Sequence, residues 1–117
     1  MSVQAERPTT GHNATLEGRK FHGIVLERGK TAGDADTLTF EGGRFNSSAC
    51  AQYGYGDGAY TTRIDGDALC FDAETESAKY GRLRWHGRVH GARLDGTLLM
   101  MRDGAVVGEK WVLAGEA

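Results

Sequence analysis

The sequence predicts an all-β domain, a small eight-stranded antiparallel up-and-down barrel, on three observations. Eighteen glycines stand against one proline in 117 residues. Turn residues recur at short, fairly regular intervals, and between them apolar and charged side chains alternate. A disordered chain would carry many prolines and few aromatics, whereas ten aromatics are spread along this one. The length suits one domain with one core.

Residues 1–13 are polar and read as a flexible lead-in, so the barrel domain is expected over 14–117. The connections follow as Gly29 to Asp34, Glu41-Gly42-Gly43-Arg44, Gly54 to Gly58, Asp65-Gly66-Asp67, Glu76 to Lys79, His90 to Ala92 and Arg102-Asp103-Gly104. These seven connections delimit eight strands. Every connection is short, which favours a meander, and closing it removes exposed edges. No sustained helical period competes, although Asp72 to Lys79 has room for a single turn.

Register follows from the turns. A Gly42-Gly43 turn pairs Phe40 with Phe45 and Leu38 with Ser47. An Asp65-Gly66 turn pairs Tyr60 with Phe71 and Thr62 with Leu69. A hairpin centred on Ala78 pairs Phe71 with Trp85, Ala73 with Leu83, Glu74 with Arg82 and Asp72 with Arg84. A Gly91-Ala92 turn pairs Trp85 with Leu98 and Arg88 with Asp95. One face then carries Tyr60, Phe71, Trp85 and Leu98, and the other carries acids alternating with arginines. Apolar burial at about 25 cal/mol per Å² outweighs cross-strand charge pairs at about 0.2–1 kcal/mol each. The aromatic face therefore points inward, and Phe21 is expected to meet Trp111 where the barrel closes.

The net charge is −2, so no general attraction to nucleic acid or anionic membrane follows. No apolar run approaches a membrane span. The polar start, Met1 to Pro8, lacks an export-signal pattern; the chain as it stands reads as cytoplasmic, and as periplasmic or exported if a leader was removed. The basic strand face of Arg82, Arg84, His86, Arg88 and His90 could suit an anion or nucleic-acid site, but reads better as a solvated surface neutralised by Asp72, Glu74 and Asp95.

No Cys-x-x-Cys is present, and His86 and His90 lie about 13 Å apart along one strand, so no metal or other cofactor is implied. Cys70 is expected opposite His86 on the outer face as an inert thiol. Cys50 and Cys70 both read as projecting from the polar face, where two thiols are favoured over a disulfide. Glu109 has two placements. An Asp103-Gly104 turn pairs it with Leu98 and aims it inward with Val107, Trp111 and Leu113, as a candidate catalytic acid/base. A bulge at Gly108, which a strand glycine favours, returns it to water. Leu99 and Met101 form an outward apolar pair beside Arg84 and Arg82 that would suit a homodimer contact.

The pattern Ser-Ser-x-Cys-x-x-Tyr-Gly-Tyr-Gly-x-Gly-x-Tyr (Ser47 to Tyr60), followed by Asp65-Gly66-Asp67 and Phe71-x-Ala-Glu-Thr-Glu-Ser77, resembles a group of short bacterial proteins, often made with an export signal and carrying no known activity. Leu16-x-Gly18-x-x-Phe21 is similar to the opening of lipocalin-like (calycin-type) barrels, which typically have tryptophan at the place of Phe21. Cys50, Gly58 and Tyr60 are similar to the Gly-Cys-Asn…Gly-x-Tyr pattern of META-type domains, with Ala49-Cys50-Ala51 at the first part. These resemblances imply a small antiparallel β domain and transfer no catalytic residue.

The leading functional expectation is a binding module for a small apolar or amphipathic ligand. Tyr60, Phe71, Trp85, Leu98 and Trp111 would hold it, with Tyr53 and Tyr55 at the entrance. An isomerase or cyclase using Glu109 is the alternative from enzyme chemistry, and a structural envelope protein without ligand is the third.

Overall fold

Alternation with period two makes each apolar segment a half-buried strand, and the observed strands follow that rule. The structure, a computed structural model, describes residues 15–27 and 29–117; the lead-in expected over 1–13 lies outside them. The strands are β1 (Lys20–Glu27), β2 (Asp34–Glu41), β3 (Arg44–Ser47), β4 (Gly58–Asp65), β5 (Ala68–Ser77), β6 (Gly81–His90), β7 (Arg93–Arg102) and β8 (Ala105–Glu116). Each pairs antiparallel with the next, and β8 pairs back onto β1, closing an up-and-down barrel. One turn of helix, α1 (Ser48–Ala51), follows β3. The segment from Asp72, where a helical turn had room, instead continues β5 to Ser77.

The β2–β3 register has Phe40 opposite Phe45 and Leu38 opposite Ser47, as the Gly42-Gly43 turn requires. Trp85 faces Leu98 and Arg88 faces Asp95, as expected of the Gly91-Ala92 turn. Two hairpins depart from expectation by two residues. Tyr60 pairs with Ala73 and Thr62 with Phe71, because the loop is Gly66-Asp67. Gly66, at φ 62°, takes the first central position, where a left-handed residue matches the strand twist. In the next hairpin Ser77 pairs with Gly81, so Ala73 meets Trp85 and Phe71 meets Gly87. A slip of two leaves every side chain on its original face.

The inner face is therefore aromatic as expected, and its base is filled solid. Phe21, Phe40 and Phe45 are fully buried and Trp85 is 1% exposed. Phe40 sits at the centre, with ring centroids 5.2 Å from Phe45, 4.9 Å from Phe71 and 5.1 Å from Tyr60. Trp85 lies 4.9 Å from Phe45, and its indole N–H donates to Thr75 Oγ1 at 3.2 Å, so its polar atom is satisfied inside the core.

Leu16, also fully buried, joins this cluster beside the β2–β3 turn. Glu17 ties the base together. Its carboxylate accepts from Gly42 N, from Gly43 N at 3.1 Å and from Tyr60 Oη at 2.8 Å. The Tyr60 hydroxyl holds Glu17 below the ordinary carboxylate range, helped by the two backbone donors. Burial, then the bond to Glu17, pushes Tyr60 from 10 up to about 12. A tyrosine whose folded pKa exceeds its unfolded one contributes stability in full below pH 10 and loses it as pH rises from 10 to about 12. In an alkaline titration followed by tyrosinate absorbance, the latest step is expected near 12. It should vanish in Tyr60→Phe and move down in Glu17→Gln. A Tyr60 step coinciding with the exposed tyrosines would refute the coupling.

The outer face carries the expected charge ladder in the shifted register. Arg82 meets Glu76 at 2.6 Å, Arg84 meets Glu74 at 3.1 Å, and His86 pairs with Asp72. Arg88, across the strand from Asp95, forms its ion pair with Asp65 at 3.3 Å. Such surface pairs are worth about 0–1 kcal/mol each, so the ladder keeps the outside wet rather than holding the barrel together. Among the described residues no helix is long and apolar enough to cross a membrane.

Candidate functional site

The end of the barrel opposite the aromatic base is not filled. A cavity of about 530 Å³ opens there, beneath α1, the crossover from α1 to β4 and the β5–β6 turn. Val25, Leu83, Leu98 and Met100 supply its apolar wall from three strands, β1, β6 and β7. Cys50, Tyr53 and Tyr55 cover it from the crossover, and Tyr80 reaches it from the β5–β6 turn. Lys110, Arg102, Asp34 and Asp36 are the charged residues along its lining.

The tyrosine-glycine crossover is pinned over this mouth at several points. Ser47 Oγ donates to the buried carboxylate of Asp36 at 2.5 Å, and Ala49 N donates to the same group at 3.0 Å. Ser47 Oγ also accepts from Cys50 N, capping α1. Further along, Ser77 Oγ donates to Tyr53 O at 3.0 Å, Gly56 N bonds Glu76 O, and Arg44 grips Asp57 at 2.9 Å. Tyr55 is buried and stacks on Tyr80, while Tyr53 is 53% exposed and meets Tyr80 edge-on. Burial raises the pKa of Tyr55 and of the Cys50 thiol, so both stay protonated at neutral pH. The lid of the cavity is thus a rigid, neutral aromatic rim.

The residues expected to hold a ligand divide into three groups. Tyr53, Tyr55 and Leu98 line the cavity. Tyr60, Phe71 and Trp85 belong to the packed cluster at the base and are absent from the cavity wall. Trp111 is a correction. It is 43% exposed on the outside of the barrel, opposite Leu26 and Thr97, and does not meet Phe21, which pairs with Glu116.

The cause is a bulge in β8. Met101 pairs with Val106 but Met100 pairs with Gly108, leaving Val107 as the extra residue. An insertion of one residue inverts every later side chain. Glu109 therefore lies opposite Leu99 on the exposed outer surface, and the inward-facing acid/base is overturned. The bulge favoured by Gly108 does occur, one residue earlier. Its other consequence was missed: Lys110 and Val112 turn inward in place of Glu109 and Trp111.

The two cysteines are free and lie on opposite sides of the sheet. Cys50 packs against the core from α1, whereas Cys70 is buried on the outer side of β5. The expectation that both project from the polar face fails at Cys50, because α1 swings it over the mouth. Cys70 pairs with Arg88 and not with His86. It helps to line an outer groove of about 540 Å³ floored by Gly87 and Gly96. Within that groove Asp72 pairs with both Arg63 and His86, while Arg88 turns to Asp65. Leu99 and Met101 are partly exposed on the outer surface.

Val25, Asp36, Tyr80, Met100, Arg102 and Lys110 are among the cavity residues that the sequence did not mark as ligand-binding. The signal for Lys110 was Gly108, since the same bulge that releases Glu109 must bring its neighbour inward.

Fold and site together define a closed antiparallel barrel with a solid base and an apolar cavity beneath an aromatic rim. No protein-family model, curated protein or solved structure matches the chain.

Proposed function

We propose that the protein is a lipocalin-like binding module that holds a small apolar or amphipathic molecule at the barrel mouth. The observation that carries this reading is the cavity itself, whose volume of about 530 Å³ lies within the range of small-molecule sites. Its wall is mostly aliphatic and aromatic, with polar groups at the edge, and the pinned crossover leaves little to reorganise on binding. A barrel serving only as a structural element gains nothing from an unfilled end, since each unfilled space forfeits dispersion contacts. The enzyme alternative loses its base with Glu109 outside.

The neutral fluorescent probe N-phenyl-1-naphthylamine tests the reading. Saturable binding of one probe per chain is expected, with an enhanced emission. Met100→Trp, which fills the cavity, should weaken it by at least tenfold. Trp111→Ser, on the outside, should leave it unchanged. Absence of saturable binding, or binding indifferent to Met100→Trp and sensitive to Trp111→Ser, would sink the proposal.

A further inference from the structure

We propose that the mouth cavity selects amphiphiles with an anionic head group, and that Lys110 is the residue that recognises the head. The inference rests on the binding reading above and names its ligand class.

The bulge at Val107 replaces Glu109 by Lys110 on the inward side of β8, so the one charge that β8 contributes to the cavity wall is positive. Lys110 is only partly exposed, and no ion pair engages it among the described residues. Asp36 and, less strongly, Lys110 both act electrostatically on the Cys50 thiol inside the rim. A partly desolvated ammonium without a counter-ion is unfavourable, and a carboxylate or sulfonate delivered by a ligand removes that penalty.

The acids of the cavity do not already serve this purpose. Asp36 is buried and its oxygens accept from Ser47 Oγ, Ser48 Oγ and Ala49 N, which hold α1 in place. Asp34 is exposed at the start of β2, where water solvates it. Arg102, the second cation, lies at the rim with its guanidinium donating to Tyr80 O at 3.5 Å. An amphiphile can therefore lay its tail against Val25, Leu83, Leu98 and Met100 while its head meets Lys110.

Titration calorimetry with decanoate, decanol and decyltrimethylammonium separates the possibilities. Decanoate is expected to bind about tenfold or more tightly than decanol, the gain of a charge-assisted contact. Lys110→Met should abolish that preference, bringing decanoate affinity to or below that of decanol, while Lys110→Arg should retain it. Far-UV circular dichroism and the thermal midpoint confirm that both variants fold. Equal affinities for decanoate and decanol, a preference for the cationic amphiphile, or a decanoate affinity unmoved by Lys110→Met would overturn the head-group assignment. In those cases binding of decanol leaves the binding module standing. If none of the three amphiphiles binds, both readings fall together.

Discussion

Replacing Phe40 by alanine is expected to destabilise the barrel by about 3–5 kcal/mol, a loss typical of a truncated core aromatic. Phe40 has no exposure at all and touches four rings: Phe21, Phe45, Tyr60 and Phe71. Three of those contacts are edge-to-face or nearly so, the geometry that adds about 0.5–1.5 kcal/mol per pair beyond buried area. The neighbours come from separate strands, so the hole cannot close by one side chain swinging in. In urea the midpoint should fall with the slope unchanged, since the surface exposed on unfolding is nearly the same. Ile64→Ala, at a position 60% exposed, is the comparison and should stay within about 0.5 kcal/mol of the parent. A Phe40→Ala loss below about 1 kcal/mol would show that the base of the barrel is loose and that the cluster is not the core.

Gly87→Ala carries the second large effect, with an expected loss of about 1–3 kcal/mol from overpacking. A Cβ at Gly87 would stand 2.2 Å from Phe71 Cε1, far inside contact distance. The ring has nowhere to go, because Phe40 lies 4.9 Å from it and Phe45 5.8 Å. The glycine is required here by the close approach of an aromatic ring across the strand pair. Shortening that ring should relieve the clash. The double variant Gly87→Ala/Phe71→Leu is therefore expected to lose less than the sum of the two single variants, with a coupling of at least about 0.5 kcal/mol. Strict additivity would mean that the two positions do not share space.

How much of this was legible in the sequence can be read from particular residues. The faces of β5, β6 and β7 were legible, because Phe71, Trp85 and Leu98 alternate with Asp72, Arg84 and Leu99 and a period of two assigns each side locally. The two-residue slips were not legible. Both registers place the same residues inside, so Gly87 could equally face Leu69 or Phe71, and only the packed cluster selects Phe71. In β8 the pattern is ambiguous in a different way. Val107, Trp111 and Leu113 make one apolar series and Val106, Gly108 and Val112 another, so hydrophobicity alone does not choose between them. The choice falls to closure, where β8 must pair with β7 and β1 at once, and the bulge at Val107 meets both demands.

The division has a physical basis. The sequence by itself determined the strand count, the meander order, the aromatic interior and the charged exterior, because turn residues and alternation act over a few neighbouring positions. Tertiary structure alone decided that the aromatic row is a plug at the base and that the cavity lies at the other end under Tyr55. It also decided that Lys110, and not Glu109, faces that cavity. Those outcomes depend on long-range register and on closing the barrel, where one inserted residue reverses every side chain that follows it.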